Sequence, residues 1–539
     1  MSSKELLFEA LKVGKTSRTP WVPFVGCHAG SLIGVSASEY LKSEENIING
    51  LNEAIRRYKP DGIPVVFDLQ IEAEALGCQL AWADDNPPAV ISHPLSEGVS
   101  LSDLKIPDKN SGRIPIVLQA TKKICKQYPD IAFYGLVTGP FTLALHLLGT
   151  DIFMQMLENP DYINDLMNFT GEVAKTMADY YIDAGCDVIA LVDPMTSQID
   201  PLSFQQFVTP QATRIFEHIR SKNKFSSFFV CGNAQQNIEA MCDCRPDNIS
   251  IDENIPLDYV KSIALSKGVS FGGNMRLTLV LLMGTPEDAQ REALECIELG
   301  GDTGYILSPG CDLPMHTPPE NLEAVAQIVY DEYQRSVIKT LKEKPSNIET
   351  YDFKDYGKGD KVIVDVITLD SESCAPCQYM VEAVKKVTPY FEGLVEWREH
   401  TIKKMEGVSF MSSLMIRNIP TICIDGKIAF VSKIPPQNEL IAAIQKRINE
   451  KFKQKIYSSH AEITLIHTEK DNIDEWKKVI EKAMIETGKF LKVNTTTDNQ
   501  MFQKFMVTKT PAIIITKHTL KAEGELPSVE VIKEWLKTI

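Results

Sequence analysis

Two pairs of cysteines carry most of the reactive chemistry in this chain. Cys231 closes the apolar run Phe228-Phe229-Val230 and is followed by Gly232-Asn233, while Cys311 stands in Ser308-Pro309-Gly310-Cys311-Asp312-Leu313, again just beyond an apolar run. Thiols at two strand ends within one repeated strand–helix pattern point to a soft-metal site or to thiol chemistry at a barrel mouth. The second pair is local: Cys374-Ala375-Pro376-Cys377 opens an apolar helix directly after a strand-like run at 361–368. At a helix N-terminus the dipole and the unpaired amides stabilise a thiolate on Cys374, and Cys377 is placed to resolve the mixed disulfide that Cys374 forms. Ile419-Pro420-Thr421 opens the next strand, which suits a cis proline, Pro420, beside the dithiol. Half of a zinc site is the alternative for Cys374 and Cys377, but no second closely spaced Cys or His pair follows at finger-like distance, and redox chemistry is the expectation.

The elements that must position these residues are legible as a pattern. Short apolar runs at 62–68, 131–136, 186–193, 226–231, 248–252, 269–274 and 303–308 alternate with amphipathic stretches such as 158–184. Runs that are apolar throughout are the mark of strands buried on both faces, so an α/β fold is expected, with residues 1–340 forming a (β/α)8 TIM barrel. Several strands end on a polar or thiol residue: Asp68, Asp193, Cys231, Asp252, Asn274 and, after a short turn, Cys311. Active sites of such barrels lie where the strands end, so these residues are expected to line a funnel, with Asp193, Asn274 and Asp68 binding substrate. For any single Asp the alternative is a helix cap.

Charge, Pro and Gly then accumulate in Lys342-Glu343-Lys344-Pro345-Ser346-Asn347 and Asp355-Tyr356-Gly357-Lys358-Gly359-Asp360, so residues 341–360 read as a linker. The dithiol unit occupies 361–452, and the same order of elements returns over 457–539. There Thr510-Pro511 stands where Ile419-Pro420 stood, but Thr468-Glu469-Lys470-Asp471-Asn472-Ile473 replaces the dithiol, so this copy is expected to be redox-silent. A length of 539 residues fits two or three domains. A formal charge of −16 argues against nucleic-acid or anionic-membrane binding, whose counterion-release term needs clustered Lys and Arg. The first residues read as an amphipathic helix and not as a secretion signal, and no apolar run is long enough to span a bilayer. The twelve cysteines are scattered, unlike the dense framework of a secreted disulfide scaffold, and a reducing cytoplasm is expected.

On these residues two family resemblances stand out. Residues 361–539 resemble two tandem thioredoxin-like domains, the first with a Cys-Ala-Pro-Cys motif and the second degenerate. Residues 1–340 resemble the uroporphyrinogen decarboxylase superfamily through Gly135-Leu136-Val137-Thr138-Gly139-Pro140-Phe141, Asp193-Pro194, Cys231-Gly232-Asn233, Gly273-Asn274, Leu282-Met283-Gly284-Thr285-Pro286 and Gly310-Cys311-Asp312-Leu313-Pro314. Within it they are closer to the cobamide-dependent methyltransferases than to the decarboxylases. The decarboxylases share an early Arg-Gln-Ala-Gly-Arg loop whose guanidinium groups match the substrate's carboxylates. Here that loop reads Cys27-His28-Ala29-Gly30-Ser31, which would leave those carboxylates unpaired, so porphyrinogen decarboxylation is not expected.

The methyltransferase resemblance implies a zinc ion, held by a His-x-Cys and a distant Cys, that activates the acceptor thiol. Cys231 and Cys311 match the two cysteines, but Phe229 replaces the histidine. Catalytic zinc usually has three protein ligands, so His28 is the expected third, with His316 and the pair Cys242 and Cys244 as further candidates. The resemblance also implies a methylcobamide. No corrinoid-binding Asp-x-His-x-x-Gly pattern occurs in the sequence, so a separate corrinoid protein or free cobamide is the expected partner, with a small thiol as acceptor.

Together these readings give a corrinoid-dependent methyltransferase coupled to a thioredoxin-like dithiol relay, in which Cys374 attacks a disulfide, either an oxidised Cys231–Cys311 pair or a sulfur-linked intermediate of turnover, and Cys377 resolves it. A thioredoxin-type reductant outside the chain would recharge the relay. At roughly −270 mV a thioredoxin-like dithiol suits thiol chemistry better than reduction of a corrinoid's cobalt. The alternatives are a thiol–disulfide oxidoreductase whose barrel only binds substrate, and a non-enzymatic redox scaffold for a corrinoid protein.

Overall fold

The computed structural model describes residues 2–340, 351–353, 356–372, 374–391, 393–489, 491–515 and 519–538. Residues 341–350, 354 and 355 of the expected linker lie outside the described residues. The chain divides into two compact units, one joining Met1–Lys358 to Ile363–Gln437 and the other joining Gly359–Val362 to Asn438–Ile539.

The first unit opens with the strands β1 (Gly62–Pro64), β2 (Leu80–Ala81), β3 (Ala89–Val90), β4 (Ala132–Thr138), β5 (Val188–Val192), β6 (Phe225–Val230), β7 (Asn248–Ile251), β8 (Ser270–Met275) and β9 (Tyr305–Pro309). β2 and β3 form a small hairpin, and the other seven make one sheet in the order β1-β4-β5-β6-β7-β8-β9. Every residue of β4 and β5 is buried, which is why these strands read as unbroken apolar runs. The sheet curls into a TIM barrel, and the extended segment around Trp21 fills the gap between its ends. Trp21 bridges Leu307 of β9 in parallel, and its carbonyl accepts the Asp61 N–H just ahead of β1. The sequence reading lacked this closing segment because Pro20 and Pro23 interrupt it and carry no N–H for a ladder. Inside the barrel Phe24, Phe67, Leu136, Ala190, Val192, Phe229 and Ile306 share one buried cluster. Burial of each large side chain there contributes roughly 1.5–3 kcal/mol.

The same unit continues with β10 (Val362–Thr368), β11 (Val395–Thr401), β12 (Thr421–Ile424) and β13 (Lys427–Val431), ordered β11-β10-β12-β13. This dithiol module sits on the C-terminal ends of the barrel strands. Gln378 Nε2 donates to the Val90 carbonyl at 2.6 Å, Lys403 Nζ to Asn86 Oδ1 at 2.6 Å, and the Ile434 N–H to Gln198 Oε1 at 3.0 Å. Leu279 and Met283 of the barrel pack against the module's buried Ile367, Ile402, Phe410 and Ile416.

In the second unit β14 (Glu462–Ile466), β15 (Lys492–Thr496), β16 (Ala512–Ile515) and β17 (Thr519–Glu523) repeat that strand order as β15-β14-β16-β17. Ile463, Leu465, Trp476, Ile480, Ile513 and Leu536 form its core. One helix, Gln437–His460, runs through the expected junction between 452 and 457. Among the described residues no helix is long and apolar enough to cross a membrane.

Candidate active site at the barrel mouth

A cavity of about 110 Å³ lies between barrel and dithiol module, and Cys27, Cys231, Cys311, Cys374 and Cys377 all form part of its wall. Cys231 and Cys311, on the loops after β6 and β9, are joined in a disulfide with their Cα atoms 5.8 Å apart. Cys374 is the N-cap of the helix Ala375–Val387 and its carbonyl accepts the Gln378 N–H at 2.8 Å. It is half-buried, whereas Cys377, one turn inward, is fully buried. Burial and the adjoining Cys374 push the Cys377 thiol well above its ordinary range. The Ile419–Pro420 peptide is cis, and Pro420 completes the wall beside the dithiol. Lys403, held by Asp370 at 2.8 Å, contributes a cation to the same wall.

Three of the polar strand-end residues have other tasks and are absent from the cavity wall. Asp193 caps the helix Pro140–Leu148: its carboxylate accepts the Phe141 and Thr142 N–H groups and the Thr142 hydroxyl, and burial raises it to about 6. Asp68 is paired with Arg113 at 2.6 Å and accepts the Gln70 N–H. Asn274 ties down the loop after β7 by donating to the Asp252 and Ile255 carbonyls. Each of the three satisfies backbone or charge groups that would otherwise be buried without partners. Asp252 does reach the cavity, along with its neighbour Glu253 and with Asp312.

His28, expected as a metal ligand, is also placed otherwise. It is fully buried, with Nδ1 3.0 Å from the Met315 carbonyl and Nε2 2.7 Å from the Tyr58 hydroxyl, so both ring nitrogens are engaged, and burial lowers it to about 4. Phe229 lies in an aromatic cluster, tilted against Phe24 at 4.8 Å and edge-on to Phe67 at 5.8 Å. His316 is exposed on Asp85, and Cys242 and Cys244 are buried along a helix. Among the described residues no three His, Cys, Asp or Glu side chains converge on a metal position. With the two sulfurs bonded to each other and no third ligand beside them among the described residues, the residues present do not fit zinc.

The sequence reading missed Glu253, Asp312 and Lys403. Glu253 lies one residue past the strand-end Asp252. Asp312 adjoins Cys311 and packs on Gly26, where a Cβ would fall 2.0 Å from its Oδ1. Among the described residues that oxygen is buried without a hydrogen-bond partner, and burial pushes the carboxyl well above the usual range. Lys403 carried no motif at all.

The seat of the module contains a pH-sensitive group. His146 Nδ1 shares a 3.0 Å hydrogen bond with the Tyr379 hydroxyl of the dithiol helix, and burial together with neighbouring His93 lowers His146 to about 3. A histidine depressed on folding contributes stability that is present above its unfolded value near 6.5 and is lost as pH falls toward the folded one. Acidification to about pH 5 should therefore weaken this contact by about 2 kcal/mol. Amide protection factors in the helix Ala375–Val387, which correct exchange for its intrinsic slowing in acid, should fall at that pH in the wild type but not in His146→Gln; an equal fall in both would show that His146 is not the sensor.

Fold and site together define a TIM-barrel protein with a thiol centre at the strand ends, joined to thioredoxin-type sheets. The family profile for uroporphyrinogen decarboxylase (URO-D) matches residues 2–332, and the chain belongs to that family. A thioredoxin-domain profile matches residues 471–537, within the copy that lacks the dithiol. Among curated relatives, methylcobamide:CoM methyltransferase MtbA of Methanosarcina acetivorans is 25% identical over 335 residues, spanning 60% of this chain and 96% of the relative. Methylcobamide:CoM methyltransferase MtaA of Methanosarcina barkeri is 28% identical over 288 residues, 52% of this chain and 83% of the relative. Among solved structures, a methyltransferase from Methanosarcina mazei superposes with a TM-score of 0.57 at 26% identity, covering 62% of this chain and 99% of that one.

Proposed function

We propose that the chain is a methyltransferase that moves a methyl group between a cobamide, free or on a separate corrinoid protein, and a small thiol, and that its dithiol module returns the barrel pair Cys231 and Cys311 to thiols. The observation that carries the coupling is that both cysteine pairs wall one cavity. Similarity to the methylcobamide:CoM methyltransferases supports the methyl-transfer half.

In the relay the Cys374 thiolate attacks one barrel sulfur, the Cys231–Cys311 bond breaks, and the other barrel sulfur departs as a thiolate. Cys377 then attacks Cys374, releasing the second barrel sulfur and closing a Cys374–Cys377 disulfide. Two electrons pass from module to barrel, and an external thioredoxin-type dithiol restores the module. The domain limits proposed are 1–340 for the barrel, 361–452 for the dithiol module and 457–539 for the redox-silent copy.

When bound, the cobamide would carry the methyl group. With the module seated, however, the cavity of about 110 Å³ is well below the roughly 300–1,000 Å³ of ordinary ligand pockets. A corrin ring would therefore reach Cys231 and Cys311 only with the module displaced from the barrel mouth. The same small cavity and the Cys231–Cys311 disulfide favour a second reading, a thiol–disulfide oxidoreductase whose barrel holds a small sulfur substrate.

The deciding experiment incubates full-length chain anaerobically with methylcobalamin and 2-mercaptoethanesulfonate and follows cobalamin absorbance. Demethylation by chain with a reduced barrel pair, and none by chain with the barrel disulfide, is the expected result. Untouched cobalamin alongside Cys374-dependent turnover of small disulfides would establish the second reading instead.

A further inference from the structure

Next to the barrel disulfide stands a carboxyl that the relay as described leaves unused. Asp252 Oδ2 accepts the N–H of Gly232, the residue after Cys231, at 2.8 Å. The backbone N of Glu253 lies 2.6 Å from where a Cβ would stand on Gly310, the residue before Cys311. The Asp252-Glu253 dipeptide therefore abuts both chain segments that carry the disulfide. Asp252 is fully engaged, because its Oδ1 also accepts from the Asn254 backbone and side chain. Glu253 is not: Oε2 accepts the Leu277 N–H, and no hydrogen bond to Oε1 occurs among the described residues. Glu253 is part of the wall shared with all four relay cysteines.

Exchange in this cavity has a proton problem. A barrel sulfur departs as a thiolate into mostly apolar surroundings, where an unpaired charge is costly. Cys377 must also shed a proton that burial makes hard to lose. We propose that Glu253 moves that proton: its carboxylic acid protonates the departing barrel thiolate, and the resulting carboxylate takes the proton of Cys377 as Cys377 attacks Cys374. The cycle starts with a Cys374 thiolate, a Cys377 thiol and protonated Glu253. It ends with the Cys374–Cys377 disulfide, one barrel thiol, one barrel thiolate and protonated Glu253, so protons, charge and electrons balance. This inference rests on the relay reading given above.

Burial and the neighbouring Asp252 raise Glu253 to about 8, which leaves it protonated yet exchangeable near neutrality. On its own side Glu253 faces Asp252 and the Arg276–Glu292 pair. The same wall also carries Asp312, Lys403, Cys27 and Asp85.

The test uses full-length chain with an oxidised barrel, given one equivalent of dithiothreitol and quenched at intervals with acid and a maleimide. Mass spectrometry then reads when label leaves Cys374 and Cys377 and appears on Cys231 and Cys311. Simple thiol exchange accelerates with pH as thiolate accumulates. Here the wild-type transfer should instead slow as pH rises through about 8. Glu253→Gln, which keeps an acceptor for the Leu277 N–H, should be about 100-fold slower near neutrality and lack the alkaline decline. Glu253→Asp retains a carboxyl and should keep the decline; its disappearance there would overturn the assignment. A wild-type rate and pH profile in Glu253→Gln would also overturn it while leaving the relay intact. Absence of transfer in the wild type at every pH would overturn the relay reading itself.

Discussion

Cys374→Ser leaves the Cys231–Cys311 bond intact under conditions in which the wild type converts it fully to thiols, and Cys377→Ser halts the reaction as a mixed disulfide. Both outcomes follow from the two pairs walling one cavity and from the asymmetry within the dithiol: Cys374 is accessible, and Cys377 is buried behind it. Without Cys374 no module sulfur can begin the attack. Without Cys377 the attack begins, but nothing in the module releases Cys374. In Cys377→Ser chain whose freed barrel thiol is alkylated, non-reducing peptide mapping should recover Cys374 linked to Cys231 or to Cys311. Equal reduction of the barrel pair in wild type and Cys374→Ser would mean that external thiols reach it directly and that the module has another task.

The second large effect concerns stability. Arg113 holds Asp68 through Nη1 and Glu74 through Nε, each at 2.6 Å, with its guanidinium 4.7 Å from the Trp82 ring centroid. The Asp68 side chain is wholly buried. Removing one partner of a buried ion pair strands the other's charge, so Arg113→Met should cost about 3–5 kcal/mol in the first unit's unfolding free energy. Adding Asp68→Asn should recover much of that loss, because the stranded charge goes with it. Urea titration of the variants, followed by tryptophan fluorescence, measures both. A loss below about 1 kcal/mol for Arg113→Met would fit a solvent-screened pair instead.

Although β11, β13 and β15 are half-buried or exposed, the barrel strands and β10, β12, β14 and β16 were readable from the sequence because they are buried along nearly their whole length. Such strands appear as continuous apolar runs whatever surrounds them. Cys374 and Cys377 were readable because their geometry is local, set by one helix terminus. Asp68, Asp193 and Asn274 were legible only in part, for the opposite reason. A polar residue at a strand end looks the same whether it faces a funnel, caps the next helix or ties a loop, and only the tertiary partners Arg113, Thr142 and the Ile255 carbonyl distinguish these roles. His28 likewise depended on Tyr58 and the Met315 carbonyl, both distant in sequence. Glu253, Asp312 and Lys403 acquire meaning only once the module is seated, because the wall they form belongs to two folds brought together.

That seating changes the kinetic order of the reaction. A dithiol delivered by a separate protein meets its target at a rate that falls with dilution, whereas one carried on the same chain has an effective concentration fixed by geometry. Well-oriented intramolecular partners can behave as though present at about 10⁵–10⁸ M, beyond anything a soluble thiol pool supplies. The repair step should then be first order in the chain and indifferent to the abundance of competing small thiols. Only the slower recharging of the Cys374–Cys377 disulfide would remain sensitive to the surrounding redox state.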